Sequence, residues 1–379
     1  MNDEPTTMIC LTGGPCAGKT SFQAYIQEEL MEAGIMAFFI PESATLLIQA
    51  GVHPGLYEPV EFQRQLIRMQ KQQEDLFLSL VKNTSSLLRK VIFCDRGLLD
   101  GAAYLPEEVS LINFQKNVLF HSGFGINLGV EEIRSRYAGI IHLVTAANGA
   151  EEFYTLSNNS ARSETVEHAL ALDKRIKECW LGHSHISVIP NALCNSPISF
   201  DEKMKLARDK VFALLGIPVP IEIEDKFLLN NFDPGKIPVP YQEVEIEQIY
   251  LLSTTPNIEE RVRMRTWEGF SSYYYTSKEP DILHGGRLEI ERIISYKEYL
   301  NLLKRCDPIR IPISKSRYCF LYDDQYFEAD VMGGIHDGLV YLEREKTIKN
   351  EFTIIPKFIE VAKDVTGDPN HSMAFLALR

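Results

Sequence analysis

The sequence predicts two domains of different class: an α/β domain whose parallel sheet carries helices on both faces, followed by an antiparallel β-barrel. Three observations predict this. Gly13-Gly14-Pro15-Cys16-Ala17-Gly18-Lys19-Thr20 follows the apolar run Met8-Ile9-Cys10-Leu11, which sets the spacing G-x-x-x-x-G-K-[ST] between a strand and a helix. Apolar runs then alternate with helical periods through the first half, the pattern of a parallel sheet. Beyond Gly216 a cluster of Pro, Gly and Asn gives way to period-two alternation. The expected division is 1–216, a linker at 217–242, and 243–379. At 379 residues the chain exceeds a single ordinary core, and domains of roughly 100–200 residues are expected.

The composition narrows the class. Hydrophobic residues make up 45% and charged residues 24%, as in a globular protein. A formal charge of -13 argues against unspecific nucleic-acid binding. The 7 cysteines form no C-x-x-C pair, so neither a disulfide framework nor a zinc site is expected, and a reducing, cytoplasmic setting is. No apolar run approaches the roughly 18 residues of a membrane span. Peripheral membrane contact stays open.

In chain order, Met8–Leu11 reads as a buried strand and Lys19 to about Ala33 as a helix with Phe22, Ile26, Leu30 and Ala33 on one face. Ile35–Ile40 is the second strand and ends in Pro41-Glu42-Ser43. A helix is expected over Pro59–Leu88. Val91–Cys94, Ile140–Val144 and Ile186–Ile189 are the remaining strands, and Asp95-Arg96-Gly97 closes the third.

In such a sheet ligands gather at the carboxyl ends of the strands. The loop of Gly13, Gly14, Pro15, Cys16, Ala17 and Gly18 would wrap a polyphosphate with its N–H groups, Lys19 would reach the β- and γ-phosphates, and Thr20, followed by Ser21, would hold Mg²⁺. A nucleoside triphosphate, ATP or GTP, is the expected ligand. Asp95 is assigned to the cation, against a reading as a helix cap. Glu42 reads either as a general base toward an acceptor hydroxyl or as a polar loop residue. No Glu follows Asp95, which favours kinase-like chemistry or slow hydrolysis. Arg162, with Arg175 second, is the candidate to neutralise a transferring phosphoryl group, against a solvated charged helix. Asn191, just after the fifth strand, is a candidate base-reading residue. No Asn-Lys-x-Asp follows the fourth strand.

The loop residues together with Pro41-Glu42-Ser43-Ala44, Asp95-Arg96-Gly97 and the 159–173 segment resemble the NadR-like ATPase/kinase branch of P-loop proteins. The resemblance spans roughly residues 8–215. It implies that Glu42 serves as base and that Asp95 and Arg96 contact acceptor and phosphates.

In the second half, charge of one sign repeats on alternate residues. Glu243, Glu245 and Glu247 are followed by Arg261, Arg263 and Arg265, then Lys278, Glu289 and Glu291, Lys315 and Arg317, Glu328 and Asp330, and Glu343 and Glu345. A barrel with these faces inward would set carboxylates for divalent ions beside cations for polyphosphate oxygens. The competing reading is a charged outer face. The pattern resembles the CYTH, or triphosphate-tunnel, family, whose opening signature is E-x-E-x-K. Glu245-Ile246-Glu247-Gln248-Ile249 has Ile at the Lys position, which puts hydrolysis in doubt. The resemblance implies Mg²⁺ or Mn²⁺ on Glu245, Glu247, Asp330, Glu343 and Glu345. It implies phosphate on Arg261, Arg263, Arg265, Lys278, Arg292, Lys315 and Arg317.

The order of the two halves is similar to the TRPL translocation defect protein family. That implies a nucleotide-binding regulator with affinity for a phosphorylated ligand such as a phosphoinositide headgroup. The alternative is a bifunctional enzyme, a small-molecule kinase joined to a metal-dependent triphosphatase.

Overall fold

The computed structural model describes residues 6–106, 109–121, 125–153, 165–193, 196–217, 224–253, 255, 258–280, 287–346 and 352–378. Two compact units divide between Val211 and Phe212. Among the described residues no helix is long and apolar enough to cross a membrane.

The first unit is built on five parallel strands: β1 (Thr7–Gly13), β2 (Ile35–Ile40), β3 (Arg89–Asp95), β4 (Gly139–Leu143) and β5 (Ile186–Ile189). Their order is β2-β3-β1-β4-β5. Ile9, Cys10 and Leu11 have no exposed surface, as a central strand covered on both faces requires. The helices are α1 (Lys19–Glu32), α2 (Ser43–Gln49), α3 (Pro59–Lys82), α4 (Leu111–Phe114), α5 (Val130–Arg134), α6 (Val166–Cys179) and α7 (Phe200–Leu214). A short ribbon, β6 (Ala192–Leu193) with β7 (Ser196–Pro197), lies between β5 and α7. Helix α1 buries Phe22, Ile26 and Leu30, the expected stripe. Helix α3 stops at Lys82 rather than Leu88, because the polar run from Asn83 supplies the cap and β3 already begins at Arg89. The chain leaves β1 toward β2 on one side and reaches β4 on the other, which opens the crevice at the carboxyl end of β1.

The second unit is one antiparallel sheet of nine strands. These are β8 (Glu224–Leu229), β9 (Tyr241–Leu251), β10 (Glu259–Trp267), β11 (Phe270–Pro280), β12 (Arg287–Ile294), β13 (Ile313–Tyr322), β14 (Gln325–Met332), β15 (Val340–Glu345) and β16 (Val361–Asp364). The order is β12-β11-β10-β9-β13-β14-β15-β8-β16. The barrel expectation is met as this single large sheet, with no pairing between β12 and β16 among the described residues. Strand β8 lies inside the stretch expected as linker, and its Phe227 and Leu229 belong to the sheet's apolar packing. Two short helices, α8 (Tyr296–Leu302) and α9 (Met373–Leu376), complete the unit.

The two faces of this sheet differ in kind. One carries Val262, Ile249, Leu251 and Ile294 against Tyr299 of α8, and further along Phe320, Phe327, Ala329 and Leu342 under Phe358 and Ile355. The other carries charge. It is nevertheless buried: Arg265 is 1% exposed and Asp330 0%. One end of this charged inner face is apolar, where Tyr250, Ile313, Met332 and Tyr341 pack against Val365, Leu376 and Ala377 of the C-terminal segment. Phe320 stacks on Phe327 at 5.7 Å with no exposure. Phe320→Ala is therefore expected to lower the stability of the second unit by about 3–5 kcal/mol, read as a fall in the urea midpoint of its unfolding transition.

Candidate functional site

Two constellations emerge, one in each unit. In the first, β1 delivers the chain into the glycine loop, and Gly18 at φ 93 turns it into α1. A side chain at Gly14 would collide with Asp173, whose Oδ1 would lie 2.7 Å from the added Cβ. That oxygen instead accepts from Gly14 N at 2.8 Å and from Thr145 N at 3.1 Å, and His142 Nε2 lies 3.0 Å away. Burial opposes ionisation of Asp173, but His142, Lys177 and the Gly14 N–H outweigh it and hold the carboxyl well below the usual range. Asp173 thus pins the entry of the phosphate loop to α6 and β4. In the sequence it stands out only as the end of the 159–173 segment.

Lys19 Nζ lies 3.8 Å from Asp95 Oδ1. Asp95 Oδ2 accepts from Gln23 Nε2 at 3.0 Å, while Oδ1 is buried and accepts no hydrogen bond. Such an orphaned carboxylate oxygen fits a divalent cation or its water shell. Thr20 and Ser21 are exposed at the start of α1, so Thr20 and Asp95 are the residues that would hold Mg²⁺. Burial lowers the Lys19 pKa, with Arg96 adding to the shift and Asp95, Glu42 and Asp100 opposing it.

Arg96, at φ 75, is held on several sides. Its Nε donates to Glu42, its Nη1 donates to Gly13 O at 3.2 Å, Asp100 lies 3.6 Å from it, and its own carbonyl accepts from Gln70. Burial raises the Glu42 pKa, but Arg96, Lys19 and the Thr45 hydroxyl bring it down to about 2. Glu42 is therefore an ionised, weakly basic group tied to Arg96, and the general-base reading requires that pairing to loosen. Asp100 is buried, accepts from Thr12 at 2.5 Å and from Trp180 Nε1 at 2.6 Å, and was not singled out from the sequence.

Asn191 and Arg175 are engaged elsewhere. Asn191 does not offer its amide to a base: Nδ2 donates to Thr145 O at 2.8 Å and Asn148 O at 2.7 Å, and Oδ1 accepts from Lys203. Arg162 lies outside the described residues, and Arg175 donates to Leu105 O.

In the second unit, ladder register decides which charges share a face, because paired residues project to the same side. Arg261, Arg263 and Arg265 pair with Tyr250, Gln248 and Ile246 of β9, and Lys315 and Arg317 pair with Ile246 and Val244. Asp330 and Glu328 sit opposite Arg317 and Cys319, Glu343 sits opposite Glu328, and Lys226 opposite Glu343. All of these lie on the inner face. Lys278 joins them opposite Glu259, and Glu345 lies at the rim, exposed, opposite Glu224.

Glu245 and Glu247 do not join this set. They pair with Thr266 and Met264 and project from the other face, so the assignment of metal to them is corrected. Arg292 is likewise on the outer face, over the Tyr275 ring and 2.6 Å from Glu298. The missed signal is Glu222-Ile223-Glu224-Asp225-Lys226, which satisfies E-x-E-x-K with its Lys intact. Of this run Glu222 and Ile223 lie outside the described residues, while Glu224 and Lys226 are on the inner face of β8.

Arg317 sits among three carboxylates. Its Nε and Nη2 donate to Asp330 at 2.7 and 2.8 Å, its Nη2 donates to Glu343 at 3.0 Å, and its Nη1 donates to Glu328. Lys315 pairs with Asp330, and Lys226 Nζ lies 2.7 Å from Glu343. Burial works against the Asp330 charge, but Arg317 and Lys315 hold its pKa below the usual range. Burial and the Arg317 charge bring Lys315 down to about 8, against the pull of Asp330 and Glu343. Among the described residues no group of three or more His, Cys, Asp or Glu side chains is arranged to hold a metal ion. As paired here, the acids serve the cations and do not fit a metal.

The arginine wall on β10 is different. Glu291 lies 3.5 Å from Arg263. Burial lowers the Arg263 pKa, and Arg261, Arg317 and Arg265 lower it further, while Glu291 opposes them. Crowded buried cations of this kind favour a polyanion between them.

Residues 8–192 match the AAA_28 family model, described as an AAA domain. The second unit's strands find similarity in the hypothetical protein NE1496, at 30% identity over 42% of this chain and 99% of that chain, with TM-score 0.30. A structure described as inorganic triphosphatase NE1496 gives 28% identity over 42% and 95%, with TM-score 0.30. Thymidylate kinase from Ehrlichia chaffeensis gives 15% identity over 56% and 100%, with TM-score 0.34. No curated protein matches the chain.

The Glu42 pairing sets a pH dependence. Its folded pKa of about 2 lies below the ordinary 4.5, so its contribution to stability is complete above about pH 4.5 and is lost as pH falls toward 2. Denaturant midpoints measured across that window are expected to fall less steeply for Glu42→Gln than for the wild type.

Proposed function

We propose that the protein binds a nucleoside triphosphate with a divalent cation in its first unit and a polyphosphate group in its second. The observation that carries the reading is the pairing of a loop-and-lysine site, facing an orphaned Asp95 oxygen, with a second, separate wall of buried arginines. In the first unit Lys19 and the loop N–H groups take the phosphates, and Thr20 and Asp95 take Mg²⁺ or Mn²⁺. Arg96 rather than Glu follows Asp95, and Glu42 is tied up by Arg96, so turnover is slow and the unit acts as a regulator. ATP and GTP are both admitted by this reading, because Asn191 is engaged with its own backbone neighbours.

In the second unit Arg261, Arg263, Arg265 and Lys278 grip the polyphosphate, drawn from a nucleotide tail, inorganic triphosphate or a phosphoinositide headgroup. A second reading, triphosphate hydrolysis in this unit, is favoured by the intact Glu222-Ile223-Glu224-Asp225-Lys226 run.

Phosphorus NMR time courses with Mg²⁺ or Mn²⁺ and ATP, GTP or triphosphate separate these readings. The expected result is slow nucleotide turnover, lost in Lys19→Ala and retained in Arg263→Met, with triphosphate binding weakened at least tenfold in Arg263→Met by calorimetry. Rapid triphosphate cleavage that survives Lys19→Ala and disappears in Arg263→Met would instead establish the second reading.

A further inference from the structure

A cation that no phosphate-loop motif includes lies directly behind the loop. Lys203, on α7, is 4% exposed. Its ammonium directs its three donors at Val144 O (2.6 Å), Asn191 Oδ1 (2.7 Å) and Ala17 O (3.2 Å). The same helix presses on the loop elsewhere, since a Cβ on Gly18 would meet the Phe200 ring at 2.9 Å. Asn191, held by Lys203, fixes Thr145 and Asn148 in turn. One ammonium therefore ties together the loop, the exit of β4 and the exit of β5.

None of those three partners is a carboxylate. Asp173, on α6, acts on Lys203 only through space. The surrounding elements also bring His142 on β4, and Cys16 and Lys19 on the loop and α1. Its own helix also carries Asp201, Glu202, Lys205, Arg208, Asp209 and Lys210, and α6 carries Lys174, Arg175, Lys177 and Glu178, but burial and Asp173 alone shift the titration of Lys203. A buried ammonium with neutral acceptors and no bonded counter-ion is costly by itself, and an anion brought to the far side of the loop offsets that cost.

We infer that Lys203 is a positioning residue of the nucleotide site, holding the Ala17 carbonyl back so that the loop N–H groups face the phosphates, with its own charge completed by the bound triphosphate. This rests on the reading that the first unit binds a nucleoside triphosphate. Burial supports it by bringing the Lys203 pKa down to about 8, against the pull of Asp173. Near that pH a bound anion draws a proton onto the side chain.

The test is titration calorimetry of the full chain with MgATP and MgGTP at about pH 8.5, half a unit above that pKa, in two buffers of different ionisation enthalpy. The wild type is expected to take up a fraction of a proton on binding. Lys203→Met is expected to bind about tenfold more weakly, with smaller uptake than the wild type. Lys203→Arg, charged at every pH used, is expected to keep most of the affinity and show the same fall in uptake, whatever share Lys19 contributes remaining in both. This arm decides the matter if the Met variant fails to fold. Binding by the wild type without proton uptake, or uptake unchanged in Lys203→Arg, overturns the role of Lys203 and leaves nucleotide binding intact. Absence of any binding by the wild type overturns the nucleotide reading itself.

Discussion

A charge taken out of water must find opposite charge or hydrogen-bond partners, and both units are shaped by that requirement. In the first, Asp173 is ionised in the interior because two backbone N–H groups and an imidazole surround it, and the glycine loop hangs from that carboxylate. In the second, Arg317 draws Asp330, Glu343 and Glu328 around one guanidinium. Apolar packing holds the outside of that sheet, and charge lines its inside except at the end packed by the C-terminal segment. This inverts the usual arrangement of a small β-domain, and it explains why the apolar clusters lie under α8 and the 352–360 segment.

The parallel sheet was legible because each strand has an apolar run at its centre, and the first three end at the glycine loop, at Pro41-Glu42 and at Asp95. The phosphate loop was legible because spacing, strand and helix coincide. Asp100, Asp173 and Lys203 were not legible, since each acts through a partner far along the chain: Thr12, Gly14 and Ala17 respectively. Nothing local marks an Asp on a helix as the anchor of a loop on another element.

The second unit shows a sharper limit. Period-two alternation identifies a strand but leaves open which set of residues faces inward. On β9 the glutamates and their apolar neighbours alternate perfectly, and the apolar Val244 and Ile246 go to the inner face between the basic strands. On β10, β13 and β14 the charged set goes inward instead. The opening signature was overlooked for a related reason: it stands among the prolines and asparagines that mark a boundary, yet β8 is the penultimate strand of the sheet, paired on both sides by β15 and β16.

That position of β8 orders events during synthesis. Strands β9 to β12 form successive hairpins and can pair as they emerge, and β13 returns to pair with β9 and opens a second run of hairpins through β14 and β15. Strand β8 precedes them all, yet its partners are β15 and β16. It must wait on the ribosome, with Phe227 and Leu229 unpaired, until nearly the whole unit has been made. Such a long-range closure is slow and leaves an apolar strand open to misassembly in the interval. Truncation near the C-terminus would therefore strip β8 of a partner made more than a hundred residues later, and would expose the strand that carries the Lys226 end of the signature.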